Sequence, residues 1–478
     1  MKVLFLHPNK WGRGVTAIWI ASHLGILNKS PNIITDIFDF TFYQDWTDNE
    51  NKFNTKNLQY LESDYDKAIK FKEKFLPDLQ KKINSFQPTI IFWSAFSSHI
   101  HGEGEYASLE NGYQAIEKVK LPDETLLIVS GLQATEDPGY VLKKYPLIDY
   151  VITGESEMTL NKICNNLDNI KNINNVCFHK NNDSIIINPK NPIIDSLDYF
   201  SPYDYSKFDK QSILRPYNGK VYKAIDYEIS RGCIYSCSYC VETVIQRFYG
   251  FNEINKNGAI KNFKNYLRTK SIDSIKIELD QIINHLGVQY IRYQDTNFLT
   301  ITASLLKELA DFIQSKKINY FGYIETRAEG INEKSIELLK KLQIDGIGMG
   351  IELSSQNFRE NELNRFVDQE KIINAFKLLK KNNIKRTAYN VIGFPNQSEE
   401  SILETIQFNK LLEPDNITVA YYSPYLGTKS QKQSKMNDDF ENFESHLDSQ
   451  IRTKTRNKNL DVSKLNFYKE NFVKLVKN

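Results

Sequence analysis

Three of the five cysteines in this chain fall within eight residues, in the segment EISRGCIYSCSYCVE. Cys233, Cys237 and Cys240 follow the spacing C-x3-C-x2-C, on a short loop directly after a run, AIDYEIS (224–230), that reads as a strand. Thiolates are soft ligands suited to zinc or to iron–sulfur clusters. A structural zinc site closes with four ligands, commonly as two pairs; here there are three and no obvious fourth. A zinc knuckle completed by a distant residue, and three merely structural cysteines, stay open as readings of the spacing. A four-iron cube on three cysteines leaves one iron with an open position for a substrate or cofactor. Cys164 and Cys177 read as small buried residues, too few for a second cluster.

The elements that would position this trio come in two series. In the first 165 residues, VLFLH (3–7), IITDIFDF (33–40), TIIFWSAF (89–96), TLLIVSG (125–131) and IDYVITG (148–154) alternate with helical spacing. TIIFWSAF is apolar almost throughout, as in strands buried on both faces of a parallel sheet. The pattern predicts a doubly wound sheet with its ligand at the carboxyl ends of the strands, at His7–Pro8, Ser94–Ala95, Ser130–Gly131 and Gly154–Glu155. Residues 166–218 are rich in Asn and Pro and read as a linker with a small hairpin. The β/α rhythm then resumes. Strands are expected at 224–230, 288–295, 320–326, 346–352, 386–393 and 416–422, with helices such as 303–316 and 335–343 between them. Six β/α units predict a partial or full barrel, again with active residues at the carboxyl ends. The expected organisation is 1–165, linker 166–218, barrel 219–430, and a helical tail over 431–478.

The chain has 478 residues, enough for two or three domains. Lys+Arg is 61 and Asp+Glu 59, a formal net charge of +2, so bulk charge announces no polyanionic partner. The basic stretch IRTKTRNKN (451–459) reads as a solvated helix flank, and no nucleic acid is expected. No apolar run reaches the ~18–20 residues of a membrane span. The start MKVLFLHPNK reads as a first strand rather than a signal peptide, so the cytoplasm is expected.

The cysteine segment resembles the C-x3-C-x-aromatic-C signature of the radical S-adenosylmethionine (SAM) superfamily, with Tyr239 as the aromatic. The resemblance continues in order along the second half. IRYQDTNF (291–298) is similar to the family's double-Asp segment, with Gln294 in the first place and Asp295 in the second. YIETRAEGI (323–331), GIGMGIELSSQ (346–356), NVIGFPNQSEESILETI (390–406) and YYSPYLGTK (421–429) resemble its later segments. The resemblance implies a [4Fe-4S] cluster on Cys233, Cys237 and Cys240, with SAM chelated at the open iron and split to a 5′-deoxyadenosyl radical. It further implies Glu352 for a SAM ribose hydroxyl, Arg327 for its carboxylate, Asp295 for its amine or the substrate, and Tyr239 against adenine. The chemistry agrees: carboxylates accept from hydroxyl or ammonium, and Arg offers a fork to carboxylate.

The first domain resembles the cobalamin-binding domain fused before the radical barrel in the superfamily's largest subgroup. SGLQAT (130–135) is similar to its Gly-Gly-x-His-Ala-Thr, with Ser130 before Gly131 and Gln133 in place of the His. DYVITGESEMTL (149–160) is similar to its Asp-Tyr-Val-x-x-Gly-Glu segment and supplies Gly154 and Glu155. The Asp-x-His-x-x-Gly motif that gives cobalt a histidine in other cobalamin proteins is absent; His7 and His23 lack its spacing, and most members of the subgroup lack it too. His99 and His101 read as loop residues rather than a metal pair.

The expected fold is therefore α/β: a Rossmann-like, doubly wound cobalamin-binding domain, a (β/α)6 partial barrel and a short helical tail. The expected function is that of a cobalamin-dependent radical SAM C-methyltransferase acting on a small molecule, lipid or peptide. A flavodoxin or ferredoxin would supply electrons. The alternatives are a cobalamin-assisted cyclase or ring-rearranging enzyme without net methyl transfer, and a non-catalytic iron–sulfur or zinc binding protein.

Overall fold

Strand β1 (Lys2–His7) is apolar from Val3 to Leu6 and buried throughout that stretch, which suits the centre of a parallel sheet. In the computed structural model it lies between β2 (Ile34–Asp39) and β3 (Ile90–Trp93), and β4 (Leu126–Val129) and β5 (Tyr150–Ile152) continue the sheet. All four pairings are parallel, and the strand order 2-1-3-4-5 is that of a doubly wound fold. The structure describes residues 1–10, 14–47, 65, 67–97, 105–181, 184–217, 219–395, 397–422, 425–437, 439 and 460–478. His99, His101 and the basic stretch 451–459 lie outside the described residues.

The chain divides into two compact units. The first is Met1–Asp226 with Asp273–Val288, and the second is Tyr227–Ile272 with Gln289–Asn478. In the first, helix Ile18–Leu27 is buried along its whole length, and helix Phe75–Phe86 buries Phe75, Leu79 and Ile83. They flank a core of Leu4, Leu6, Trp93, Val129 and Val151, among others. The segment 166–218, expected as a linker, holds β6 (Val176–Asn181) and β7 (Ser184–Ile187). This hairpin adds to β5 in antiparallel sense, so it belongs to the sheet. A second hairpin, β8 (Leu214–Tyr217) with β9 (Lys220–Tyr227), follows it. Helix Ile272–Asp280 belongs mostly to this unit as well, since its Glu278 Oε1 accepts from Ser201 Oγ at 2.7 Å and from Tyr203 N at 2.8 Å.

The second unit opens at the end of β9, where Tyr227 O accepts from Gln294 N. After a break at Glu228–Ile229 the chain forms a two-residue ribbon, β10 (Ser230–Arg231) against β11 (Arg268–Thr269). The main sheet has seven strands in the order 16-15-14-13-12-9-8; beyond the β8–β9 hairpin these are β12 (Tyr290–Tyr293), β13 (Phe321–Glu325), β14 (Ile344–Glu352), β15 (Lys385–Ile392) and β16 (Asn416–Tyr421). The pairings from β12 to β16 are parallel. Helices follow the strands, including Ala303–Lys316, Glu333–Lys341, Gln369–Lys381 and Glu399–Leu412. Strands β9 and β12 to β16 are the six expected of the partial barrel, and β8 adds to its edge. The C-terminal helix Val462–Lys477 packs Leu465, Tyr468 and Phe472 on Ile392, Ile417 and Tyr421. Among the described residues no helix is long and apolar enough to cross a membrane.

Candidate radical SAM site

The loop after β10 begins at Gly232, whose φ is +100°. A Cβ there would stand 2.6 Å from Tyr266 O, so the turn into the cysteine segment requires glycine. Cys233 and Cys237 are buried and Cys240 is partly exposed; none forms a disulfide. Helix Glu242–Phe248 begins just after them. Its Glu242 Oε1 accepts from Cys233 N at 2.9 Å and from the Tyr266 hydroxyl at 2.7 Å, while Gln246 Nε2 donates to Cys233 O and Tyr235 O. The backbone of the loop is thus held from the helix it precedes.

Donors point at the sulfurs. Cys233 Sγ accepts from Tyr235 N at 3.5 Å, and Cys237 Sγ from Arg327 Nη1 at 3.7 Å. Arg327 Cζ also stands over the Tyr235 ring, 3.7 Å from its centroid. Its other donors go to Glu329 Oε1 and to Phe366 O. Burial pushes the Cys240 thiol well above its ordinary value, and the charges of Cys237, Glu242 and Cys233 add to that. Among the described residues no group of three or more His, Cys, Asp or Glu side chains is set to hold a single metal ion. The Cys233 and Cys237 sulfurs, each with a donor aimed at it, and the Cys240 thiol on the same short loop fit an iron–sulfur cluster, whose sulfurs are tuned by such hydrogen bonds.

The structure places Tyr239 and Glu352 together: the Tyr239 hydroxyl donates to Glu352 Oε1 at 2.9 Å. Glu352 ends β14 with φ +61°, an uncommon conformation for a non-glycine residue. Arg365, not singled out in the sequence, joins them. Its Nη2 donates to Gly350 O at 2.7 Å and its Nε stands 3.8 Å from Glu352 Oε1. Asp295 is fully buried. It accepts from Ile229 N at 3.1 Å, and from Ser230 N and Ser230 Oγ at 2.6 Å each. Its carboxyl thus braces the strand end that leads into the cysteine loop. Glu242, Arg365 and Tyr235 carried no spacing signal in the sequence.

In the first unit, the predicted residues meet at the carboxyl ends of β3, β4 and β5. Ser130 N donates to Ser94 O at 2.9 Å, and Ser130 Oγ to Gly154 O at 3.5 Å. Thr135 Oγ1 donates to Gly131 O and accepts from Gly154 N, at 2.8 and 2.9 Å. Ser94, Gly131 and Gly154 have φ of +62°, +100° and +73°. Gln133 and Glu155 are buried beside them in sequence. Small residues with turned backbone at three adjacent strand ends give a large flat ligand close access to the main chain, so these residues fit a corrin.

Residues 227–408 match the family model described as Radical SAM superfamily. That stretch is similar to radical SAM domains, and it follows the doubly wound parallel sheet in chain order. Across most of its length the chain also has the fold of cobalamin-dependent radical SAM enzymes. The structure of the radical SAM methyltransferase TsrM from Kitasatospora setae, solved with cobalamin and a [4Fe-4S] cluster, matches 91% of this chain and 78% of that one, with a TM-score of 0.66 at 13% identity. The cobalamin-dependent SAM radical enzyme OxsB, solved with aqua-cobalamin and SAM, matches 98% of this chain and 67% of that one, with a TM-score of 0.62 at 14% identity. Among sequences, an uncharacterized methyltransferase of Pyrococcus horikoshii is 22% identical over 74% of this chain and 70% of its own length. The anaerobic magnesium-protoporphyrin IX monomethyl ester cyclase of Rubrivivax gelatinosus is 22% identical over 89% of this chain and 68% of its own.

Proposed function

We propose that this chain is a cobalamin-dependent radical SAM enzyme that transfers a methyl group to an unactivated carbon of a small molecule, lipid or peptide. The observation that carries this reading is the convergence of Arg327 on the three-thiol loop, at 3.7 Å from Cys237 Sγ. Cys233, Cys237 and Cys240 would hold a [4Fe-4S] cluster. When bound, that cluster supplies the electron that splits SAM into methionine and a 5′-deoxyadenosyl radical. Arg327 and Arg365 supply cations for the SAM carboxylate, Glu352 an acceptor for its ribose, and Tyr239 a ring for adenine. Asp295 keeps the cysteine loop in register. Ser130, Gly131, Gln133, Gly154 and Glu155 would line the cobalamin site. A flavodoxin or ferredoxin is the electron donor in this reading.

Cyclase relatives favour a second reading, radical cyclisation without net methyl transfer. Anaerobically reconstituted protein supplied with cobalamin, SAM and reductant separates the two once a substrate is in hand. S-adenosylhomocysteine formed alongside 5′-deoxyadenosine supports methyl transfer; deoxyadenosine alone counts against it. Cys233→Ala should lose the cluster's absorption and SAM cleavage together. Full iron content and cleavage in that variant would overturn the assignment.

A further inference from the structure

We propose that Glu325, oriented by Tyr389 and Tyr323, binds a protonated amine of the substrate on the inner face of the partial barrel. The inference deepens the functional reading above and rests on it for the reaction that the bound amine would meet. Along β12 to β16 one face is closed. Ile291, Ile324, Ile347, Ala388 and Ile417 are almost wholly buried there, and Ile392, Ile417 and Tyr421 on that side pack with the C-terminal helix. Residues of a strand alternate between faces, and the alternate positions are more open. Arg292, Glu325, Gly350, Tyr389 and Ala420 are partly exposed, and Thr418 is exposed.

The register brings the polar members of this face together. Glu325 is the Cα partner of Gly348, and Tyr389 that of Gly350. A Cβ at Gly348 would stand 2.5 Å from Tyr389 Oη, and one at Gly350 would collide with Glu352 Oε1. The two groups therefore lie over glycines two residues apart on β14, a rise of about 7 Å. An amine held by Glu325 would thus sit within a small molecule's length of the carboxylate that the functional reading gives to SAM.

The hydrogen bonds fix what the Glu325 group offers. Tyr389 Oη donates to Glu325 Oε1 at 3.1 Å, and the Tyr323 and Tyr389 hydroxyls are 2.8 Å apart. A phenol has one hydrogen. Tyr389 gives its own to the carboxylate, so Tyr323 donates to Tyr389. Burial holds the Tyr389 phenol well above its ordinary range, and the Glu325 charge adds to that, so it stays a donor. Both phenol hydrogens are used within the chain, and outward it presents acceptor oxygens and ring faces. An ammonium brings three donors and a charge to such a set, whereas an alcohol brings one donor and a carboxylate none. Aromatic faces add attraction for a cation. This group already shows it, since the Arg292 guanidinium carbon stands 5.7 Å from the Tyr323 ring centre. Filling the space over Gly348 requires two rings, not the hydroxyl chain that ends on a carboxylate.

The test uses the full chain reconstituted with its cluster, with SAM present and no reductant. Three probes of one size, benzylamine, benzyl alcohol and benzoate, are titrated by ligand-observed NMR; SAM keeps them off Glu352. Benzylamine should bind about tenfold more tightly than benzyl alcohol, the scale of one charge-assisted hydrogen bond, and benzoate should bind least. Glu325→Gln should lower benzylamine affinity about tenfold, with benzyl alcohol and SAM binding unchanged; a merely structural role would move all of them alike. Tyr389→Phe should lower it by less, because the carboxylate remains. No preference for the amine in the unaltered protein, or a preference that survives Glu325→Gln, would overturn the proposal. Should Glu325→Gln not fold, Glu325→Asp takes its place and must weaken the amine selectively. The same titrations on cluster-free protein separate the two readings. Glu325-dependent amine binding in a protein that never takes up a cluster upholds the amine site and sinks the functional reading. Cluster and SAM binding without amine selectivity sink the amine site alone.

Discussion

Arg327 reaches Cys237 from Nη1 at 3.7 Å while its guanidinium carbon stands 3.7 Å from the centre of the Tyr235 ring. One side chain thus touches a candidate cluster ligand and the loop between two of them. A lysine keeps the charge but has neither the plane nor the fork. Arg327→Lys is expected to retain its iron and to slow SAM cleavage about tenfold or more, a loss of ~1.4 kcal/mol of transition-state stabilisation. Deoxyadenosine formation per iron checks this; an unchanged rate would show the contact to be incidental.

The Tyr239–Glu352 hydrogen bond gives a second expectation. Tyr239→Phe removes one neutral-to-charged hydrogen bond and leaves the ring, so a loss of about 1.5–3 kcal/mol in holding Glu352 is the scale involved. SAM affinity should fall, with the larger loss in Glu352→Ala, because that variant also removes the acceptor. Equilibrium binding of SAM to the reconstituted protein measures both. Equal affinity in all three proteins would remove Glu352 from the SAM site.

Burial pushes the Asp295 carboxyl up to about 7, against the donors of Ser230, while the Glu228 charge adds to the rise. The folded chain therefore keeps a proton that the unfolded chain releases near pH ~4. Because the folded state binds the extra proton across that window, stability falls as pH rises from about 4 to about 7 and levels above it. Asp295→Asn should flatten this slope. Urea midpoints of cluster-free protein at pH 5 and pH 7.5 provide the comparison, and an equally steep slope in the variant would contradict it.

Gly348 gives a packing test. A Cβ there would lie 2.5 Å from Tyr389 Oη and 2.6 Å from Tyr323 Oη, two hydroxyls that hydrogen-bond each other at 2.8 Å. Gly348→Ala must push the pair apart, which also strains the Tyr389 bond to Glu325 Oε1. A cost of about 1–3 kcal/mol is expected, read as a lowered Tm. A Tm equal to that of the unaltered protein would mean that the tyrosines move freely.

Local pattern carried much of the fold. The run IIFW could be read as a doubly buried strand because every residue is apolar, and helix 303–316 because its apolar residues recur at helical spacing. The cysteine trio was legible because its three members are neighbours in sequence. What escaped depends on partners far along the chain. The β6–β7 hairpin looked like part of a linker because nothing within it announces β5 as its neighbour. Helix Ile272–Asp280 was not placed with the first unit because its tie, Glu278 to Ser201 and Tyr203, spans some seventy residues. Arg365 went unseen because its partners Gly350 and Glu352 lie on a strand that precedes it, with no shared spacing. Asp295 was noticed because IRYQDTNF resembles a family segment, but its two backbone donors at Ile229 and Ser230 belong to a strand end whose position only the fold defines.

The two faces of β14 differ in a way that bears on how such a protein diversifies. Ile347, Met349 and Ile351 alternate with Gly346, Gly348 and Gly350 along the strand, and those three apolar side chains are almost wholly buried. One face is hydrophobic packing; the other is bare backbone overlain by side chains from neighbouring strands, such as Tyr323 and Tyr389. Substitutions at Tyr323 or Tyr389 therefore act first on the glycine side, on the face opposite Ile347, Met349 and Ile351. A mutant library confined to these overlying positions would vary the glycine side of the strand while leaving Ile347, Met349 and Ile351 in place.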